Sequence, residues 1–242
     1  MMFSGLHLSE EDVFATATNA TPSDFDSGRV AQMIERCRNG QYVTAHFPHS
    51  DELTSQLDEA LITPLVIVRD PRDVAVSYVH YVCSEPRHFH HRYYTTALAS
   101  FDERLSATLH GFQAGPLRPL GLRSLRNTVD RYLPWIDSGL PIIRFEDLIG
   151  QRGGGTSAAQ LLAVQQIAET VDRPLTQDQA LAIAQRAFAP NARTFRAGKA
   201  NAWASEFSAE HLNLCADELD DVIHAFGYPR TSDAADGGHD AD

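Results

Sequence analysis

Apolar positions change their spacing along the chain, and the changes mark out its elements. Val30, Met33, Ile34 and Cys37 recur at helical intervals within Arg29–Arg38, and Asn39-Gly40 stops that pattern. Tyr42–Phe47 reads as a short strand ended by Pro48, and Leu53–Leu61 as a short helix. Leu65–Val68 is a continuous apolar run rich in β-branched residues, the pattern of a strand covered on both faces. A helix is predicted from Pro71, with Val74, Tyr78 and Val82 on one stripe. Residues 84–99 are polar and aromatic and read as a surface excursion. Leu120–Ile136 reads as a helix, Leu140–Phe145 as a third strand, and Gly153-Gly154-Gly155 as a loop. Further helices are predicted over 156–172, 176–188 and 208–226. Strands alternating with helices argue for an α/β fold around a parallel sheet. The expected organisation is an irregular segment over 1–27, one domain over 28–230, and a disordered acidic tail over 231–242.

Composition narrows the picture. Of the 242 residues, 43% are apolar, enough for a sizeable core. No stretch approaches the roughly 20 apolar residues of a membrane span. The net charge of −12 argues against binding nucleic acid or an anionic membrane. It leaves room for a small anionic ligand held by local arginines. The three cysteines, Cys37, Cys83 and Cys215, are odd in number and widely spaced, which indicates neither a disulfide framework nor a zinc site and fits a reducing cytoplasm. His80, His88, His90 and His91 are dense but lack a metal-ligand spacing, so a solvated loop is the expectation and no metal is assigned. Arg72, Arg87 and Arg92 read either as ordinary surface charge or as the lining of a pocket for an anionic acceptor. Oligomeric state is not readable from the sequence.

The segment VIVRDPRDVAVSYVHYV carries the most chemistry. Asp70 stands where an N-cap belongs and Pro71 at the first helical position. Arg69 therefore falls at the carboxyl end of a parallel strand, where α/β sheets bind ligands, beside the free N–H groups of a helix start. Its guanidinium offers a planar pair of donors to a phosphate, and Ser77 lies two helical turns on. The alternative is a surface arginine pairing with Asp70 or Asp73, and a serine that only packs.

RDPRDVAVSYVHY resembles the 3'-phosphate-binding segment of the sulfotransferases that use 3'-phosphoadenosine 5'-phosphosulfate (PAPS). The resemblance assigns Arg69 and Ser77 to the 3'-phosphate. TAHFPHS resembles the family's strand ending in the general-base histidine, which makes His46 the catalytic residue. An imidazole with a pKa near ~6.5 can take the proton that an attacking alcohol or amine loses. A structural histidine beside Pro48 is the other reading. IIRFEDLIG resembles the strand whose aromatic residue lies near adenine, here Phe145, which serves equally well as core. Glu146 and Asp147 are expected to organise the turn that follows. TFRAGKANAWASEFS resembles the late loop that completes the phosphate site, implying Arg196 and the backbone of Gly198, with Phe188 a further candidate for adenine contact. The alternative for that loop is one pinned by Trp203 and Phe207, with Arg196 solvated.

What the resemblance implies is a three-layer fold related to the nucleotide kinases, a central parallel sheet with helices on both faces. The activity implied is sulfuryl transfer from PAPS to a hydroxyl or amine of a small-molecule, lipid or sugar acceptor, leaving adenosine 3',5'-bisphosphate. The chain departs from the family at several points. The loop that wraps the 5'-phosphosulfate, with the first strand of the sheet, is not matched anywhere in it, and GQRGGGTS at 150–157 lacks the P-loop Lys-Ser/Thr. The expectation is therefore an N-terminally truncated member. Thr44 stands where many members have Lys, Ala197 replaces the usual Lys, and Asn201-Ala202 replaces Gly-Asp. The alternative function is an inactive fragment or pseudoenzyme that at most binds adenosine 3',5'-bisphosphate. An ordinary nucleotide kinase is the reading outside the family, and it too lacks its phosphate loop.

Overall fold

A computed structural model describes residues 27–37, 47–187 and 199–236. The chain divides into two compact units, 1–64 and 65–242. In the first, helix α1 (Ser27–Arg36) packs with α2 (Asp51–Glu59). Helix α2 begins where the Ser50 hydroxyl accepts the Leu53 N–H. The strand expected over Tyr42–Phe47 lies outside the described residues except for its last residue, as does His46.

The second unit is mostly helical around a small parallel sheet. Strand β1 (Val66–Val68) pairs with β2 (Ile142–Arg144) in register Val66↔Ile142, Ile67↔Ile143 and Val68↔Arg144. Both strands are shorter than their apolar runs suggest, and Phe145 opens a helix instead of closing the strand. Ile143 is buried but its register partner Ile67 is 53% exposed, so β1 is not covered on both faces. The parallel pairing and the flanking helices are compatible with the α/β class; the described residues contain this one two-stranded sheet.

Helix α3 (Pro71–Ser84) leaves β1 through Arg69 and Asp70. The Asp70 carboxylate accepts the Arg72 N–H, and Pro71, with no N–H to satisfy, takes the first helical position. Its buried stripe runs through Arg72, Ala75, Val76, Val79 and Val82 rather than through Val74, which is 41% exposed. Helices α4 (His91–Thr96) and α5 (Phe101–His110) pack on α3. The Tyr94 and Thr108 hydroxyls are hydrogen-bonded at 2.8 Å inside that contact.

Residues 84–99 lie partly at the surface, with Ser84, Pro86, Arg87 and Arg92 exposed, but two of their rings are buried. His90 is 1% exposed, between the Tyr78 hydroxyl (2.7 Å) and the Leu120 carbonyl (3.0 Å), and Tyr94 is fully buried in the core. Among the described residues no group of His, Cys, Asp and Glu is arranged to hold a metal ion.

The helix expected over 120–136 is two short ones, α6 (Leu125–Val129), capped by Ser124, and α7 (Leu133–Ile136). Pro134 has no N–H to continue a helical ladder through this stretch. After β2 come α8 (Phe145–Ile149), a 3₁₀ turn (Gln151–Gly153), α9 (Ser157–Thr170) and α10 (Gln177–Ala187). Helices α9 and α10 share a small core of Val164, Ala180 and Ala184.

The chain closes with α11 (Trp203–Glu206), α12 (Ala209–Glu218), α13 (Asp220–Ala225) and α14 (Thr231–Asp236). The first residues of the expected acidic tail are therefore helical. Asp220 explains the difference: its carboxylate accepts the N–H groups of Thr231 and Ser232 and the Ser232 hydroxyl, so it caps α14 from a distance. Residues 237–242 lie outside the described set. No helix among the described residues is long and apolar enough to cross a membrane.

Candidate functional site

Parallel pairing puts the carboxyl ends of β1 and β2 side by side, and the next residue of each strand is one that the sequence singles out. Arg69 follows β1 and Phe145 follows β2. The Arg69 guanidinium carbon lies 4.9 Å from the centre of the Phe145 ring. Its Nε is buried and has no hydrogen-bond partner. An arginine Nε–H hidden from water without an acceptor costs free energy, and an incoming oxyanion would recover it.

The neighbouring acids do not take up this arginine. Asp70 is 2% exposed and gives both oxygens to Arg72, at 2.7 Å in the shorter contact. The Asp73 carboxylate accepts the backbone N–H of Asn201 at 2.8 Å and of Trp203 at 3.0 Å. Burial pushes the Asp73 carboxyl above its ordinary range, against the pull of those N–H donors and of the nearby Arg69 charge. The alternative in which Arg69 merely pairs with Asp70 or Asp73 is therefore not what the structure holds.

Arg72 is the clearest correction to the sequence reading. It is no surface charge and lines no acceptor pocket. It is 1% exposed, its guanidinium lies 3.9 Å from the Trp203 ring, and it donates to Thr231 Oγ1 and to the Pro229 carbonyl. Arg87 and Arg92 are exposed.

Ser77 is half-buried on α3, one turn beyond Asp73. His80 follows three residues later, so Asp73, Ser77 and His80 lie along one side of the helix. That side meets α11 and the residues leading into it: Asp73 accepts the Asn201 and Trp203 N–H groups, and His80 Nε2 lies 3.8 Å from an oxygen of Glu206, the last residue of α11. Ser77 lies on α3 between Asp73 and His80 in sequence. Arg196 and Gly198 of the late loop, and Phe188 before it, lie outside the described residues.

The glycine-rich turn packs rather than cradles. Ala200 donates its N–H to the Gly153 carbonyl at 2.7 Å, fastening the late loop to this turn. A Cβ on Gly155 would sit 2.4 Å from the Glu146 carbonyl, and one on Gly150 (φ 59°) would meet the Gln160 side chain. Close approach to α8 and α9 accounts for these glycines without a ligand.

Glu146 and Asp147 do organise the strand–helix turn. Asp147 holds Arg144 at 2.9 Å. Glu146 accepts the Asp70 N–H at 3.1 Å on one oxygen and the Tyr228 hydroxyl at 2.5 Å on the other. Burial raises its pKa, and the Tyr228 hydrogen bond opposes the rise. Tyr228 is the residue that sequence reasoning missed. Its only signal was membership of the closing segment DVIHAFGY. A shallow groove of about 340 Å³ opens near β2, against Ile142, Arg144 and Phe226, but Arg144 there is already paired, so it offers no free cation.

Comparison with known proteins gave no matching family model, no matching curated protein and no matching solved structure.

Proposed function

We propose that the chain binds a 3'-phosphorylated adenine nucleotide at the joined ends of β1 and β2 and serves as a PAPS-dependent sulfotransferase. The observation that carries this is Arg69, an arginine at a parallel strand's carboxyl end whose Nε–H is buried and unpartnered beside the Phe145 ring. Donor set and ligand match: a phosphate dianion suits the guanidinium, and an aromatic face suits adenine. In this reading Ser77, Arg196 and the Gly198 backbone complete the phosphate site, and Phe188 is a second adenine contact. The finer architecture proposed is the three-layer, nucleotide-kinase-like fold of that family, in a cytoplasmic protein.

PAPS supplies an activated sulfuryl group. The acceptor oxygen or nitrogen bonds to sulfur as the bond from sulfur to the 5'-phosphate oxygen breaks. His46 takes the acceptor's proton, and adenosine 3',5'-bisphosphate leaves. Acceptors are small hydroxyl or amine compounds, lipids or sugars.

A second reading is favoured by departures from the family's pattern within the chain: Thr44 and Ala197 stand where members commonly have Lys, and Asn201-Ala202 where they have Gly-Asp. In that reading the protein holds adenosine 3',5'-bisphosphate without transferring sulfuryl groups.

Calorimetric titration with adenosine 3',5'-bisphosphate tests both. Binding that weakens about tenfold or more in Arg69→Ala supports the site. No binding by the unaltered protein, or equal affinity in the variant, overturns it. Transfer of labelled sulfuryl from PAPS to phenol, sterol and sugar acceptors, abolished in His46→Ala, separates the enzyme from the binding protein.

A further inference from the structure

The end of the late loop is fastened at three backbone N–H groups. Ala200 donates to the Gly153 carbonyl at 2.7 Å, Asn201 to one oxygen of Asp73 at 2.8 Å, and Trp203 to the other at 3.0 Å. Asn201 is exposed and holds a left-handed φ of 59°, which asparagine tolerates better than most side chains. Ala202 after it is right-handed helical. That succession of left-handed and right-handed residues turns neighbouring N–H groups toward one point and makes a concave anion site. Here the protein's own carboxylate fills it, with Asp73 fully buried. Asp73 follows Arg69 by four residues and feels its positive charge. One side chain therefore joins the turn that carries Arg69 to the end of the segment that carries Arg196 and Gly198.

We propose that Asp73 is a positioning residue for the 3'-phosphate, acting through the late loop that it anchors at Asn201 and Trp203; the inference rests on the nucleotide-binding reading above. Gly198 is three residues before Asn201 and Arg196 is five, so the chain allows them at most about 11 and 18 Å from that anchor. An anchored loop end leaves less of the loop to be ordered when the ligand arrives, and that saving appears as affinity. Asp73 itself carries the wrong charge to touch a phosphate. Its two effects on binding thus have opposite signs. As a bare charge it opposes the ligand, and as an anchor it favours it.

The experiment uses the full chain and four proteins: unaltered, Asp73→Asn, Asn201→Val and Asn201→Gly. Adenosine 3',5'-bisphosphate and adenosine 5'-monophosphate are titrated into each by calorimetry, and the ratio of their affinities reads the 3'-phosphate alone. The unaltered protein is expected to prefer the bisphosphate by about tenfold or more. Asp73→Asn loses most of that preference while holding the monophosphate within about twofold of the unaltered protein. Asn201→Val does the same from an exposed position, because a β-branched residue resists the left-handed turn. Asn201→Gly keeps the N–H and adopts that turn freely, so it keeps the preference. A preference retained or increased in Asp73→Asn overturns the proposal, since only the bare charge would then matter. Equal weakening of both nucleotides overturns it too, as a general loss of structure. Asn201→Gly losing the preference along with Asn201→Val has the same force. Where Asp73→Asn does not fold, Asn201→Val decides in its place. An unaltered protein that shows no preference for the bisphosphate removes the nucleotide reading itself, and this inference with it.

Discussion

Arg72 lies against the face of Trp203 while the backbone N–H of Trp203 donates to Asp73, one residue along from Arg72. Two neighbouring side chains of one helical turn thus grip the same residue, 130 positions away in sequence, from two sides. The motif Arg-Asp-Pro-Arg-Asp divides its labour accordingly. Asp70, Arg72 and Asp73 face inward and build the loop; Arg69 alone is left for a ligand.

That division predicts opposite outcomes for the two arginines. Arg72→Ala leaves the Asp70 carboxylate buried without its cation, and should cost about 3–5 kcal/mol of stability. Arg69→Ala removes a contact with an aromatic face and a charge near Asp73, neither of them a close ion pair, and should cost no more than about 1 kcal/mol. Urea unfolding of the two variants distinguishes them, and equal losses would contradict the assignment.

Asp73→Asn keeps the shape of the side chain but replaces one of its two acceptor oxygens by an amide donor. One of the N–H groups of Asn201 and Trp203 is then unpaired, at a cost of about 1–3 kcal/mol. Faster amide exchange over 199–207, without a matching change over α9 and α10, is the expected signature.

His88 makes stability sensitive to acid. Its ring stacks on Phe89 at 4.3 Å and its Nδ1 accepts the His90 N–H. Burial, with His90 adding to it, pushes its pKa down to about 4. An unfolded histidine titrates near ~6.5, so between these values the unfolded chain binds the proton that the folded one refuses. The His88 contribution is complete above that upper value and is lost as pH falls toward about 4. The raised carboxyls of Asp73 and Glu146 act in the opposite sense, gaining relative stability on acidification. Urea midpoints at neutral pH and about one to two units lower should therefore differ less in His88→Gln than in the unaltered protein.

Ser106, His211 and Asp102 superficially resemble a hydrolase triad, with the Ser106 hydroxyl 2.8 Å from His211 Nε2 and an Asp102 oxygen 3.6 Å from Nδ1. The Ser208 backbone N–H donates to His211 Nδ1 at 3.2 Å as part of the α12 capping box. Nδ1 is therefore the acceptor and Nε2 carries the proton, which reverses the tautomer that a serine nucleophile needs. A fluorophosphonate probe should leave Ser106 unlabelled.

Legibility in the sequence followed the range of the interactions. The Asp70–Pro71 helix start could be read because a cap is settled within three residues. The adjacency of Arg69 and Phe145 follows because each is the next residue after one strand of a parallel pair. Arg72 could not be read, since Trp203, Pro229 and Thr231 are remote along the chain, and a charged residue without visible partners reads as surface. His90 failed for the same reason: its acceptor is the Leu120 carbonyl, which no side-chain pattern reveals. Ile67 read as buried because an apolar run does not say how many neighbours a strand has. His46, Phe188, Arg196 and Gly198 fall outside the described residues, so their assignments rest on the sequence, Phe188 on its aromatic ring and the others on the resemblance.

The contact between Tyr228 and Val68 spans 160 residues. During synthesis at about 5–20 residues per second, the loop around Arg69 leaves the ribosome on the order of ten to thirty seconds before the segment that braces it. Until then Asp70 and Arg72 have each other but lack Pro229, Thr231 and the phenol that donates to Glu146. A nascent chain halted before Gly227 would carry the whole Arg69 motif and still present it unsupported.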